Sequence, residues 1–305
     1  MKGGTGFAFY CLRMDRSRHS SGPRPGRQSG SARPRWRRFV ALGVFSALLL
    51  GPGARPAGSQ SPAFDPDSGR TATPPAQTEV LPATQQPFRP GESLRFSVQY
   101  GPIHAGSAWL EVHGDGAVNG HAIDTLVARA ESNSFFSFTF KVRNRIESVW
   151  DADQRFSYRY REDRHEGGFR AKSDITFDQE RGEARYNDGR VFPIPPHVQD
   201  ALSSFYYTRF QALPVGGSVV FDYHASRKSQ PLEVRVLGRD RIHVPAGTFD
   251  CVVVEPVLKA GGIFKHNGRL LIWLTADERR IPVLMKSKVA IGSISVILQA
   301  MKPGA

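Results

Sequence analysis

Nine histidines, two cysteines and 28 carboxylates are the material for chemistry in this chain of 305 residues, and their spacing assembles no familiar catalytic pattern. There is no Gly-x-Ser-x-Gly elbow, no His-Glu-x-x-His pair, no phosphate-cradling loop and no paired Cys motif. His113 and His121 flank a Gly-rich hairpin, and with Glu111 they offer a donor set of the kind that seats zinc. Two solvated hairpin histidines account for the same residues without a metal. Gly114, Gly116 and Gly120 resemble a dinucleotide fingerprint, but the last Gly falls one position late and the stretch lies between strands, so it reads as a loop. Cys251 sits in a run of Val, where a thiol is a small inert hydrophobe. Glu162-Asp163 and Asp277-Glu278 alternate with Arg and read as solvated turns. The expectation is therefore no catalytic residue, no metal and no cofactor. Absence of motif argues against an enzyme, although a hydrolase triad can assemble from scattered residues.

What remains is apolar chemistry. Phe135, Phe136, Phe138 and Phe140 crowd six residues, and Trp109, Trp150, Phe264 and Trp273 lie in other strands and connections. Alternating Phe on a strand faces a core. The functional alternative is that part of this set lines or rims an apolar cavity in a curved sheet, as in small lipid-binding barrels. On that reading Trp109, Phe136, Phe138, Trp150, Phe264 and Trp273 are the ligand-binding residues.

The elements that would position them are strands. Leu94, Phe96, Val98 and Tyr100 alternate with Ser93, Arg95, Ser97 and Gln99, which puts four apolar side chains on one face. Gly101-Pro102 turns the chain into Ala105 to Val112, and the Gly-rich loop leads to Ile123 to Glu131. Lys141 to Trp150, Phe156 to Arg161 and Ala171 to Phe177 continue a meander with local connections. Ser218 to His224 and Leu232 to Val236 follow. Pro245-Ala246-Gly247 turns the latter into Asp250 to Val254, ahead of Leu270 to Leu274 and Val283 to Val289. Ile294, Val296 and Leu298 then present one apolar face. The chain is mainly β: an antiparallel meander of ten to twelve strands curled into a half-barrel or barrel. One stretch differs. Val198, Leu202, Phe205, Tyr206, Arg209 and Leu213 fall at helical spacing after Pro195-Pro196, with Asp200 early, and predict one amphipathic helix over about residues 198–212.

The order Val244-Pro245-Ala246-Gly247-Thr248-Phe249-Asp250-Cys251, then Leu271 through Val283 with Trp273 and Asp277-Glu278-Arg279-Arg280, then Gly292-Ser293-Ile294, resembles the bacterial envelope family known as domain of unknown function 3108. The resemblance reaches upstream to about Gly91. It implies an exported β-rich protein and brings no activity and no catalytic residues.

The N-terminal segment agrees with export. Arg35-Trp36-Arg37-Arg38 is a basic region, Phe39 to Leu50 an apolar stretch of 12 residues, and Ala57-Gly58-Ser59 a small-residue cleavage site, so residues 1–59 read as a signal peptide. The apolar stretch is short of the roughly 20 residues of a membrane span. The first 59 residues hold 11 of the 41 Lys and Arg and one of the 28 acids; the remainder carries 30 and 27, a net +3. The basic balance therefore belongs mostly to the leader, and no nucleic-acid partner is expected. Residues 60–90 are rich in Pro, Ser and Thr and read as a flexible linker; residues 91–303 form one domain. The sequence thus predicts an exported, periplasmic or envelope-associated protein with no transmembrane span in the mature chain, holding a lipid or other apolar ligand in transport or assembly. A structural protein that engages an envelope protein partner is the alternative.

Overall fold

The computed structural model describes residues 86–118, 120–258, 269–288 and 292–305. The expected leader over 1–59, most of the expected linker, and Phe264 lie outside these residues.

Among the described residues fourteen strands form one antiparallel sheet. In chain order they are β1 (Ser93–Tyr100), β2 (Ile103–Val118), β3 (His121–Ser132), β4 (Val142–Asp151), β5 (Ser157–Glu166), β6 (Phe169–Asp178), β7 (Glu183–Tyr186), β8 (Val191–Pro193), β9 (Ser218–Ala225), β10 (Lys228–Val244), β11 (Gly247–Leu258), β12 (Leu270–Thr275), β13 (Pro282–Lys288) and β14 (Ser293–Lys302). Sequential strands pair throughout, with one exception: β8 does not pair with β9, and instead β1 pairs with β14. The meander is thereby joined through its two ends and left open in its middle. It is a curled, unclosed sheet, in agreement with the half-barrel expectation and with two to four strands more than the sequence predicts.

Period-two alternation builds the inner face. Along β1, Leu94, Phe96 and Val98 are buried, and on β14 so are Leu298 opposite Phe96, Val296 opposite Val98 and Ile294 opposite Tyr100. Each such side chain stabilises the fold by about 1.5 to 3 kcal/mol. Pro245 and Ala246 make the β10–β11 turn, with Val244 opposite Gly247. Gly247 has φ +138°, a region that a side chain at this position would strain.

The open seam is filled by the segment that breaks the pattern. Gln199 forms a parallel bridge with Tyr223 of β9, donating its N–H to the Asp222 carbonyl at 2.9 Å and accepting from His224 N–H at 2.8 Å. On the other flank Ser157 N–H reaches the Val198 carbonyl at 3.5 Å. Helix α2 (Ser203–Arg209) follows and is 7 residues long, half the length predicted. The buried Asp200 decides the late start: its carboxylate accepts from the N–H groups of Leu202 and Ser203 and from the hydroxyls of Ser148 and Ser157. Residues 198–202 are thus held against two strands instead of winding into the helix. Burial raises the Asp200 pKa against the pull of these donors.

A second helix is unexpected. Ser134–Thr139, preceding α2 and called α1, is a single six-residue helix where the sequence predicts strand-like alternation of Phe. Asn133 caps it, its side-chain oxygen accepting from Phe136 N–H at 2.9 Å. Ser132 Oγ accepts the Val142 N–H at 2.9 Å, so β3 ends and β4 begins around the excursion. Local capping overrides the alternation because no neighbouring strand is there to pair with.

Residues ahead of Gly91 also pack on the sheet and α2. Phe88 is buried and packs its ring edge-to-face on Tyr206 and Phe210, with Trp150 at 5.7 Å. Among the described residues no helix is long and apolar enough to cross a membrane.

Candidate functional site

The five predicted ligand residues that fall among the described ones do not come together. Trp150 is buried in the core beside Phe88 and Phe210. Trp109 is half-buried on the outer face of β2, with the Arg129 guanidinium 5.2 Å from its ring centre. Trp273 is buried too: its indole N–H donates to Asp240 at 3.0 Å and the Lys286 ammonium lies 5.5 Å from its ring. Phe136 is half-buried in α1, and Phe138 is 95% exposed. Phe264 lies outside the described residues.

A different set of residues encloses apolar space. A cavity of about 80 Å³ lies between the inner face and α2. The strand walls come from Leu232 and Val234 of β10, Val254 and Leu258 of β11, Ile272 and Leu274 of β12 and Met285 of β13, while Leu202, Phe205 and Thr208 contribute from the helix and its lead-in. The sequence marks the strand members as inward-facing. It does not reveal that they stop short of filling the interior, because a core and a cavity share one alternation pattern.

A second cavity, about 380 Å³, is polar. Tyr160, Glu162 and Arg164 of β5, Tyr186 of β7, His224 of β9 and Arg227 of the β9–β10 turn contribute to its lining. Glu162 is 8% exposed, which corrects the expectation of a solvated turn: β5 runs on to Glu166, and alternation turns Tyr160, Glu162 and Glu166 inward. Burial raises the Glu162 pKa, opposed mainly by Arg164, whose Nε lies 2.6 Å from the carboxylate. The Tyr160 hydroxyl has no partner at bonding geometry among the described residues, although it lies near enough to Glu162 to favour the charged carboxylate. His224 shares hydrogen bonds with Tyr186 Oη at 2.9 Å and Ser229 Oγ at 2.8 Å, and burial pushes its pKa down to about 4, so the ring is neutral near pH 7. The lining cations are neutralised: Arg164 by Glu162, Lys172 by Asp163 and Arg227 by Asp188. The chamber therefore offers hydroxyls, an imidazole and paired charges.

The two cavities share walls. Leu202 and Tyr223 line the apolar one, and their chain neighbours Ala201 and His224 line the polar one. The segment that fills the open seam therefore borders both.

The histidine pair of the β2–β3 hairpin separates. His113 stands opposite Thr125, and His121 opposite Val118. His121 instead converges with Asp151 and Asp153, their ligand atoms within 4.8 Å of one another. The Asp151 carboxylate is already engaged by the N–H groups of Asp153 and Gln154 and by the Tyr158 hydroxyl, which identifies it as the anchor of the β4–β5 turn. Cys251 is buried, and burial pushes its thiol up to about 11, far from the range of a reactive thiolate.

Comparison with known proteins gives a family and distant structural neighbours. The sequence model of a family described as protein of unknown function (DUF3108) matches residues 95–299. No curated protein matches the chain. A beta-barrel-like protein of domain of unknown function DUF1849 from Brucella abortus is similar at 9% identity, over 71% of this chain and 98% of that one, with a TM-score of 0.48. A DUF1089 family protein from Pseudomonas aeruginosa is similar at 13% identity, over 58% of this chain and 87% of that one, with a TM-score of 0.33.

Proposed function

For this chain, which belongs to the DUF3108 family, we propose a role as an exported envelope protein that binds an amphipathic ligand inside its curled sheet, with the apolar part in the cavity of β10–β13 and the polar part in the chamber beside Tyr160 and His224. The observation that carries this reading is the shared wall: consecutive residues of one segment line an apolar and a polar chamber. The leader-like pattern of residues 1–59 supports export.

Size sets a condition. At about 80 Å³ the apolar cavity is roughly half the volume that holds benzene in a buried apolar site. A longer chain enters only if Met285, an adaptable side chain, and the half-buried Phe205 turn aside. Lipid is the ligand class that fits such a pair of chambers.

The test is native mass spectrometry, with lipid extraction, of the protein recovered from the envelope, beside titration of an apolar fluorescent probe. A stoichiometric amphipath is expected. Thr208→Leu and Leu270→Trp, which crowd the apolar cavity, should weaken the probe by about tenfold, with a loss of stability no larger than the cost of overpacking, about 1 to 3 kcal/mol. Recovery free of ligand, with probe affinity unaltered by both substitutions, overturns the reading.

A further inference from the structure

One rim of the sheet collects exposed apolar side chains from three separate connections. Register places them at the same end: Ile103 opposes Tyr100 at the β1–β2 turn, Asn133 N–H reaches the Ala105 carbonyl, and Gly167 N–H reaches the Lys141 carbonyl. Ile103 is 49% exposed, Phe169 51%, Phe135 75% and Phe138 95%. Isolated exposed hydrophobes are ordinary on a protein surface, but four gathered at one end, two of them Phe on a single helical turn, form a patch.

The patch is held out by design of the connection. Asn133 caps α1 and also donates to the His104 carbonyl at 2.7 Å. Phe140 closes the other end over Gly167, where an added Cβ would stand 2.6 Å from the ring. Any side chain at residue 167 would thus collide with Phe140. The two Phe are therefore presented on a fixed turn.

Charge identifies what they face. Lys141, Arg143 and Arg170 are exposed around the patch, and Arg170 donates to the backbone carbonyls of Gly167 and Phe169. Of the acids there, Glu166 is buried and held by Asn144, which leaves Glu131 exposed against three cations. Along the flank of the same sheet, by contrast, arginines are matched by acids, as in Arg145–Glu147 and Arg159–Asp174. Glu131 stands opposite Arg143, so cations exceed exposed acids there without being wholly free, and aromatic side chains among an excess of cations are suited to an anionic lipid surface, where rings enter the acyl boundary and cations meet phosphates.

We propose that this rim, Ile103 with α1 and Phe169, docks the protein reversibly on a membrane surface rich in anionic headgroups. The inference stands apart from the cavity reading, because docking concerns the outside of the rim.

The test uses the protein as recovered from cells, with whatever N terminus they leave on it, and vesicles of phosphatidylcholine with or without phosphatidylglycerol. Phe138→Trp supplies a reporter at the rim and Val215→Trp one at an exposed position away from it. Tryptophan at 138 should shift to the blue and be quenched by brominated acyl chains, and tryptophan at 215 should not. Phe135→Ser with Phe138→Ser should weaken flotation with vesicles by about tenfold or more. Lys141→Gln, Arg143→Gln and Arg170→Gln together should abolish the preference for phosphatidylglycerol. Emission at 138 that ignores vesicles overturns the proposal, as does flotation unchanged by the serine pair, even where another segment binds lipid. A rim that captures a protein and leaves vesicles unbound overturns it too.

Discussion

Arg209 is the side chain whose loss should cost this fold most for a reason visible in the structure. It is fully buried on α2, and its guanidinium makes two bonds to the Glu92 carboxylate at 2.7 and 2.8 Å. It also donates to the carbonyls of Pro87 and Arg279, each at 2.9 Å, and lies 5.0 Å from the Phe88 ring. One side chain thus ties α2 to the segment before β1, at Pro87 and Glu92, and to the β12–β13 turn. Arg209→Met keeps the volume and deletes every donor, leaving a 5% exposed carboxylate uncompensated, which costs about 3 to 5 kcal/mol. With a urea slope of about 3 kcal/mol per M for a domain of this size, the midpoint should fall by about 1 to 1.7 M. Glu92→Met alone should cost a similar amount. The double substitution removes both charges, so only the two orphaned carbonyls remain, at about 1 kcal/mol each. The double variant should then be more stable than either single one. A midpoint for Arg209→Met within about 0.3 M of the parent, or costs that simply add in the double variant, would refute the argument.

Three further outcomes follow from single sites. Gly247→Val should destabilise by about 1 kcal/mol or more, because φ is +138° there and the new Cβ meets the Phe249 ring at 3.4 Å; equal denaturation midpoints would contradict this. With its thiol at about 11 and buried, Cys251 should resist alkylation near pH 8 until denaturant is added, as followed by peptide mass, and ready labelling of the native protein would count against its burial. His224 has a folded pKa of about 4 against an ordinary 6.5, so the stability it contributes is complete above pH 6.5 and is lost as pH falls from 6.5 to 4. The loss has an upper limit of roughly 3 kcal/mol. His224→Gln should flatten that part of the pH profile of urea midpoints, and identical profiles would sink the assignment.

The sequence by itself determined the strands and their turns. Leu94, Phe96 and Val98 on β1, and Ile294, Val296 and Leu298 on β14, are legible because a pleated strand sends alternate side chains to opposite faces and only one face is buried. The Pro245-Ala246-Gly247 turn is legible because its φ requirements restrict the residues that can occupy it. Tertiary structure alone decided the rest. That β1 closes on β14 while β8 and β9 stay apart depends on which edges meet, and edges carry no local signature. The Phe135–Phe140 segment alternates as a strand should, yet it winds into α1, since Asn133 and Ser132 satisfy its backbone where no partner strand lies alongside. Glu162, polar beside Asp163, turns inward because β5 continues past it and Arg164 is there to meet its charge. The apolar cavity was invisible for a related reason. Alternation specifies which side chains face in, whereas the space left between them is set by how a curled sheet and a seven-residue helix fit together.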